Sequence, residues 1–278
     1  MIEGMSYLRT LVSLPRALSD LSRHKYLIKI LSMRDFKVRY RGSVGGMAWA
    51  IIQPLFMLII YTVVFSKFLG IKFGINNSPY EFALYLMCGL LPWNAFAEGL
   101  TASTNLIRNN TNLVKKVVFP IEILPIILTL VTLIQQIIGM SLLIPFAWVV
   151  LTKLSWTIIL LPMVFFFQIL FYLGINFIWA GFSVYLPDLR HLTSLLITGL
   201  IFLAPFLYPL SLVPPGPLLV IIKLNPFTSL IMLYRGLILD GVVPSLPVWG
   251  YFGLFSVFLF IVGFSWFLWT KPSFAEAL

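Results

Sequence analysis

The residues best suited to chemistry are basic side chains that precede the first long apolar segment. Arg34, Lys37 and Arg41 recur at helical spacing within residues 22–41, where they would form one row on a helix lying along a membrane surface. The planar fork of an arginine can hold two phosphate oxygens, so such a row could bind an anionic head group. The same row also fits a plain cytoplasmic anchor, and spacing does not separate the two interpretations.

Groups suited to enzymatic catalysis are sparse. Glu98 and Glu122 are the only acids inside the predicted spans, and they lie on different spans. Glu122 closely follows Lys115 and Lys116, which predicts an ion pair, and an isolated Glu98 gives little support to a proton relay. The sequence has no glycine-rich phosphate loop and no serine nucleophile elbow. We expect no catalytic site here, and active transport would need nucleotide chemistry from another chain.

Metal and redox chemistry are equally disfavoured. Cys88 is the single cysteine, and His24 and His191 are the two histidines. One thiol and two distant imidazoles are too few for a zinc, haem or iron–sulfur site, so no cofactor or metal is expected on this chain. The first 25 residues contain no sustained apolar run, and we expect no cleavable signal peptide.

The composition requires lipid as the solvent. Hydrophobic residues make up 60% of the 278 residues and charged residues only 10%, whereas a soluble domain has about 25% charged residues. A net charge of +10 on a soluble chain would suggest nucleic acid. In so apolar a chain it indicates cytoplasmic loops beside anionic lipid, and no nucleic-acid partner is expected.

Six apolar segments are long enough to cross a bilayer core of about 30 Å. Pro92 interrupts the second segment, and Pro205 and Pro209 bend the far end of the fifth. The predicted spans are 44–69, 82–104, 117–151, 156–186, 192–210 and 248–269. They predict an all-α polytopic membrane protein. Its predicted parts are a cytoplasmic segment 1–43 with an amphipathic interface helix, a transmembrane domain 44–270 and a cytoplasmic tail 271–278.

Two shorter apolar segments, 218–224 and 227–239, do not fit a full crossing. Asn225 and Pro226 have the residue types of a helix cap and first turn. The pair predicts an external hairpin at about 211–240 that enters the membrane and returns, with a partly ordered external loop as the alternative. Of the 19 Lys and Arg residues, 14 fall in the segments predicted to face inward, which predicts that both termini are cytoplasmic.

Short motifs recur in order across these segments. They are Arg34–Ser43 with Trp49 and Pro54, Gly89–Trp93 with Phe96, Asn112–Pro120, Tyr185–His191, Tyr208–Pro209, Asn225–Pro226 and Tyr234–Arg235. The series resembles the permeases of type-2 ABC exporters, in particular those for O-antigen, capsule and teichoic acid. One departure is Pro187, which stands where that family commonly has an arginine, so a role at that position does not carry over.

The resemblance implies a homodimer with six spans in each protomer, in a bacterial inner membrane. It also implies two separate nucleotide-binding subunits, which would carry ATP and magnesium on the cytoplasmic side. The substrate would be a polysaccharide on undecaprenyl diphosphate. A basic collar would then receive the lipid diphosphate, with structural anchoring as the alternative role for the same residues. The collar comprises Arg34, Lys37, Arg39, Arg41, Lys115 and Lys116.

The resemblance also suggests a sugar conduit and a coupling surface. Aromatic rings pack on sugar faces, although aromatic residues in spans also face lipid or fill the core. The conduit candidates are Phe56, Tyr61, Trp93, Phe96, Phe202 and Phe206. The candidates for contact with the ATPase are Asp35, Asp188, Arg190 and His191. For Asp188 the alternative role is an ordinary helix N-cap, and the external hairpin would gate the conduit.

Three other functions remain as alternatives. Within the same family, the cargo could be teichoic acid, capsule, or a small lipid or drug. A membrane glycosyl- or acyltransferase would need clustered Asp, His or Glu, and none is seen. A carrier driven by protons or sodium would need buried acids near the bilayer middle and an internal repeat, and neither is found.

Overall fold

The computed structural model describes residues 15, 19–64, 79–115, 119–153, 155–206, 208 and 210–274. Within these ranges every regular element is a helix, so the prediction of an all-α protein is confirmed. The main helices are α1 (Lys25–Arg39), α2 (Trp49–Val63), α3 (Pro79–Ser103), α4 (Ile123–Leu151), α5 (Leu161–Tyr185), α6 (Leu189–Phe202), α7 (Pro217–Leu224), α8 (Pro226–Arg235) and α9 (Leu246–Thr270). Shorter helical turns are Gly46–Ala48, Leu106–Asn109, Thr111–Val114, Trp156–Leu160, Leu210–Leu212, Gly236–Asp240 and Lys271–Ser273.

Four helical segments in the described ranges are long and apolar enough to cross a membrane. They are Gly46–Val63, Ile123–Leu151, Trp156–Tyr185 and Leu246–Ser273. A fifth crossing results if the pair Pro217–Leu224 and Pro226–Asp240, bent by 71°, forms one broken span. These segments coincide with the centres of the first, third, fourth and sixth predicted spans.

The second and fifth predicted spans differ from the helices observed. The predicted interruption at Pro92 was wrong, because α3 continues through that residue for 25 residues in all. Pro92 is buried, and the Tyr172 hydroxyl donates to its carbonyl oxygen at 2.5 Å, so neighbouring helices support the backbone there. α6 is only 14 residues long and ends at Phe202, because the chain turns before Pro205 rather than continuing to residue 210.

Contacts between distant parts of the sequence define two ends of the helical bundle. At one end, which we call the basal end, Lys271 pairs with Glu122 at 2.7 Å, so α9 finishes where α4 begins. α1 lies at this end, because its Phe36 is 3% exposed and packs beside the first turns of α4. At the opposite, distal end, the Thr157 hydroxyl donates to the Leu237 carbonyl oxygen at 2.7 Å.

Within the predicted range 22–41 the chain forms the helix α1, Lys25–Arg39, with Tyr40 as its C-cap residue, and its place at a membrane interface stays a prediction. Its buried side chains are Ser32 and Phe36, one helical turn apart. Phe36 packs in one apolar cluster with Ile123 and Ile127 of α4. The helix therefore rests on the bundle, which fixes the position of the basic residues along it.

Helices α5 and α9 approach so closely that their backbones touch. A Cβ atom added to Gly263 would overlap the carbonyl oxygen of Gly174, and one added to Gly174 would lie 2.6 Å from the backbone of Leu259. Only glycine permits this approach, as is common where membrane helices pack through small residues.

Gly263→Ala is therefore expected to push α5 and α9 apart and to lower the free energy of unfolding by about 1–3 kcal/mol. Thermal unfolding of the purified protein in detergent measures this as a lower Tm. Gly250→Ala is the matched control, because Gly250 lies on the same helix with no atom within 4 Å of an added Cβ. Equal Tm values for the two variants would contradict this packing.

Candidate functional site

The basic collar is largely exposed. Its exposed members are Arg34, Lys37, Arg39, Arg41 and Lys115. Lys116 lies outside the described residues. The Arg34 guanidinium pairs with neighbouring Asp35 at 2.9 Å, and both side chains are well exposed, so this pair is weak and open to exchange. The exposed cations therefore remain accessible to an anionic group.

Arg39 differs from the rest of the collar because it forms an ion pair with Glu98. The side chains are 27% and 41% exposed, so the pair is more sheltered than that of Arg34 with Asp35. It joins the last residue of α1 to the later half of α3. The interpretation of Glu98 as an isolated acid was therefore wrong.

The Arg39–Glu98 pair stands at one side of a cavity of about 470 Å³ between α2, α3 and α4. This volume is within the range of about 300–1,000 Å³ found for small-molecule sites. The cavity lining is Arg39, Tyr40, Gln53, Pro54, Met57, Tyr61, Met87, Leu90, Leu91, Asn94, Ala95, Ala97, Glu98, Thr132, Gln135 and Gln136. From Glu98 to Met87 it follows α3 for roughly 16 Å, at about 1.5 Å per residue.

One wall of the cavity is fixed by hydrogen bonds. The Tyr40 hydroxyl donates to Gln135 Oε1, and Gln135 Nε2 donates to the Ala50 carbonyl oxygen at 3.2 Å. Burial raises the pKa of the Tyr40 hydroxyl; Arg39 lowers it and Glu98 raises it. The phenol therefore stays protonated at neutral pH and keeps its role as a donor.

A buried polar network leads from the cavity into the predicted hairpin. Gln136, which lines the cavity, and Gln168 of α5 exchange hydrogen bonds of 3.3 and 2.6 Å through their amides. The Tyr234 hydroxyl donates to Gln168 Oε1 at 2.5 Å and accepts from Gln136 Nε2 at 3.1 Å. α8 is thereby connected to the middle of α4 and α5.

The hairpin itself contains a buried cation. Asn225 caps α8 as predicted, because its side chain accepts a hydrogen bond from the Phe227 amide at 3.0 Å. Arg235, at the end of α8, is only 6% exposed. Its guanidinium donates to three backbone carbonyl oxygens, those of Tyr85 at 3.1 Å, Pro205 at 2.7 Å and Phe206 at 3.0 Å. It also stacks on the Tyr85 ring, 3.2 Å from the centroid.

The six conduit candidates do not share one surface of the protomer. Trp93, Phe96 and Phe206 are at most 4% exposed and belong to one aromatic core; Trp93 and Phe206 have ring centroids 5.1 Å apart. Phe56 and Phe202 are 58% and 65% exposed, and Tyr61 lines the cavity. In this conformation Trp93, Phe96 and Phe206 are too buried to contact a polymer, and the conduit stays a prediction.

The predicted coupling turn is exposed between α5 and α6. Asp188, Arg190 and His191 all face outward, whereas Leu189 and Thr193 are buried and hold the start of α6 to the bundle. Asp188 occupies the N-cap position of α6, but its side chain makes no capping hydrogen bond. The turn is therefore a rigidly held, charged surface, and its contact with an ATPase stays a prediction.

Glu122 is paired with a different partner from the one predicted. Its carboxylate oxygens accept from the Lys271 ammonium at 2.7 and 2.9 Å, across 149 residues of sequence. Among the described residues Glu122 forms no ion pair with Lys115, and Lys116 lies outside them; nearness in sequence does not fix which helix ends meet in the bundle.

Comparison with known proteins gives this geometry a context. Residues 26–239 match the family described as ABC-2 type transporter, which covers well over half of the chain. The chain belongs to that family. It is 28% identical over 264 residues to the O-antigen export system permease protein RfbA of Myxococcus xanthus, covering 95% of this chain and 99% of the relative. It is 29% identical over 259 residues to a protein of the same name from Klebsiella pneumoniae, covering 91% of this chain and 95% of the relative.

Membership of the ABC-2 transporter family implies partnership with ABC ATPase subunits and an ATP-driven cycle. The chain is then a permease. Its most unexpected part is the cavity, whose amides the sequence interpretation did not single out. A signal was available, because Gln53, Asn94, Gln135 and Gln136 are polar residues inside apolar segments, where such residues tend to be functional.

Proposed function

We propose that this chain is the permease subunit of an ATP-driven exporter of O-antigen-type polysaccharide, carried on undecaprenyl diphosphate across a bacterial inner membrane. The observation that carries the proposal is the similarity to O-antigen export permeases over more than nine-tenths of the chain. Teichoic acid, capsule and small lipids are less well supported, because the relatives named here belong to O-antigen export systems.

The proposed topology has six crossings and a cytoplasmic basal end. α2, α3, α4, α5 and α9 would cross, and α6 with the turn that follows it would make the remaining crossing. The bent pair α7 and α8 would enter from the distal face and return. The excess of Lys and Arg in the segments at the basal end supports this orientation, and so does the meeting of α1, Glu122 and Lys271 there.

The proposed functional unit is a homodimer with the passage between its two copies. Only 17% of the segment Gly46–Val63 is buried within one protomer, so α2 has an uncovered apolar face that includes Ile52, Phe56 and Ile59. A second copy would cover part of it. Phe56, Tyr61 and Phe202 would then be the aromatic residues nearest the polymer. Trp93, Phe96 and Phe206 would reach it only after the hairpin moves.

The collar and the coupling turn would act at the cytoplasmic side. Arg34, Lys37, Arg41 and Lys115, with Lys116, would receive the diphosphate, and Arg39 would join them once Glu98 releases it. Contacts of the ATPase with Asp35 and with the turn Asp188–His191 would then transmit ATP binding to α1 and α6. The distal hairpin would open last and release the polymer.

Reconstitution tests this function directly. The chain and its ABC ATPase partner would be placed in liposomes with an undecaprenyl-diphosphate-linked oligosaccharide. We expect the oligosaccharide to cross only when the ATPase and ATP are both present. A hydrolysis-deficient ATPase is the control. Movement without ATP, or ATP-driven movement of small amphiphiles but not of the oligosaccharide, would contradict the proposal.

A further inference from the structure

Two amide side chains in the cavity have no protein partner within the described residues. Gln53 of α2 and Asn94 of α3 are both exposed, and neither side chain makes a hydrogen bond to another described residue. Asn94 is conspicuous on its helix, because Trp93 and Ala95 on either side are 2% and 4% exposed. An amide left without hydrogen bonds at membrane depth costs several kcal/mol, so both side chains need water or a polar ligand as a partner.

The lining restricts the chemistry of such a ligand. The Arg39 and Glu98 charges cancel in their ion pair, and the other polar side chains are neutral amides and hydroxyls. An amide both donates and accepts hydrogen bonds, and so does a hydroxyl of a ligand. The single carboxylate in the lining is too few for a metal site, and an apolar drug would leave the amides unsatisfied. A neutral ligand with several hydroxyl groups satisfies the whole set.

We infer that this cavity binds one neutral sugar, the one joined directly to the lipid diphosphate, an inference that rests on the proposed function. Arg39 connects the two regions, because it ends the helix that carries Arg34 and Lys37 and also lines the cavity. A diphosphate held at the collar therefore leaves its first sugar at the mouth of the cavity. The site lies within one protomer rather than between two copies.

Each side of the cavity contributes a different contact. Gln53 of α2 and Asn94 of α3 both line the cavity and bind the sugar hydroxyls. Gln135 is already engaged by Tyr40 and Ala50, so it forms the wall rather than a primary ligand. Met57, Leu90 and Leu91 offer an apolar surface to the C–H face of the ring. The bound sugar replaces water at the two amides, and the lipid chain stays outside in the bilayer.

The test compares soluble probes that differ only by the presence of a sugar. These are farnesyl diphosphate and its hexosyl derivatives carrying glucose, galactose or N-acetylglucosamine. The full chain, assembled with its ATPase in glycolipid-free nanodiscs, is titrated with each probe by native mass spectrometry. We expect the best hexosyl probe to bind roughly tenfold more tightly than farnesyl diphosphate, which corresponds to about two neutral hydrogen bonds.

Two variants on different helices test whether the preference for the sugar arises in the cavity. Asn94→Leu and Gln53→Leu should each reduce the preference for the sugar severalfold while leaving the affinity for farnesyl diphosphate unchanged. Asn105→Leu is the matched control. The Asn105 amide lies just after the end of α3, donates a hydrogen bond to the Thr104 hydroxyl and does not line the cavity. Its preference should equal that of the native chain, and Tm values are compared for all variants.

Each result either supports or overturns the inference. Equal binding of both probes by the native chain overturns the sugar site but leaves the proposed function standing, whereas binding of neither probe overturns both. A preference that survives in Asn94→Leu and Gln53→Leu places the sugar elsewhere. Loss of dimer mass with an unchanged preference shows that the amides meet the second copy instead. A methyl hexoside that competes as well as the hexosyl lipid rules out the first sugar as the specific occupant.

Discussion

Arg235→Met is expected to detach the hairpin from the distal ends of α3 and α6 and to destabilise the protein by about 3 kcal/mol or more. The Arg235 guanidinium donates hydrogen bonds to three backbone carbonyl oxygens, and Arg235 is only 6% exposed. Methionine fills much of the same volume but has no donor, so the buried carbonyls lose their partners. Thermal unfolding and limited proteolysis after residue 210 measure the effect.

Two further variants make this result specific. Arg235→Lys keeps the charge but loses the planar fork, so its Tm should fall between those of the native protein and Arg235→Met. Lys223→Met removes an exposed cation from the same hairpin and should leave the Tm unchanged. A native Tm and native protease resistance in Arg235→Met would show that the guanidinium does not hold the hairpin against the rest of the bundle.

The helices themselves were largely predictable. Long apolar segments have no stable alternative to the helix in lipid, so Ile123–Leu151 and Leu246–Thr270 follow from hydropathy alone. The start of α8 was predictable from Asn225 and Pro226, because the capping side chain of Asn225 and the fixed φ of Pro226 act on the local backbone. The length of α6 was overestimated because hydropathy does not register where the backbone turns, and the chain leaves the helix before Pro205.

Partners across the bundle were not predictable from the same patterns. Glu122 has two lysines nearby in sequence, yet it pairs with Lys271, which tertiary packing brings to the basal end. Arg39 was grouped with its neighbours as a phosphate ligand, although helix rotation directs it towards Glu98. Trp93 and Phe206 were assigned to a conduit because aromatic character indicates burial or binding alike, and only the neighbouring helices decide which.

The cavity also could not be predicted from the sequence, because it depends on which side chains the helices bring together. Polar residues within apolar segments can be recognised in the sequence, but their spacing does not show that Gln53 and Asn94 line one cavity from different helices. Gln136 shows why such residues cannot be assigned one by one, because its amide is fully engaged by Gln168 and Tyr234. Whether an amide is structural or available to a ligand depends on these contacts.

The second large effect is expected at the collar, where the double variant Arg34→Ala/Arg41→Ala should slow export at least tenfold while assembly with the ATPase persists. Hydrogen bonds to a charged phosphate contribute about 1.5–3 kcal/mol each, and alanine removes them without leaving a buried group unpaired, since both arginines are exposed. Each single variant should be slowed less than the pair. Pull-down of the ATPase and transport in liposomes separate the two readouts.

Lys29→Ala provides the matched control for the collar. Lys29 is an exposed cation on α1 but lies on a different side of the helix from Arg34 and Lys37, at about 100° per residue, and Arg41 follows the C-cap residue Tyr40. If the row only anchored α1 to anionic lipid, removal of any one cation would have a similar, small effect, and salt would weaken all variants alike. A loss confined to the row identifies a directed phosphate contact, whereas normal export in the double variant would refute the collar and leave anchoring as the role of these arginines.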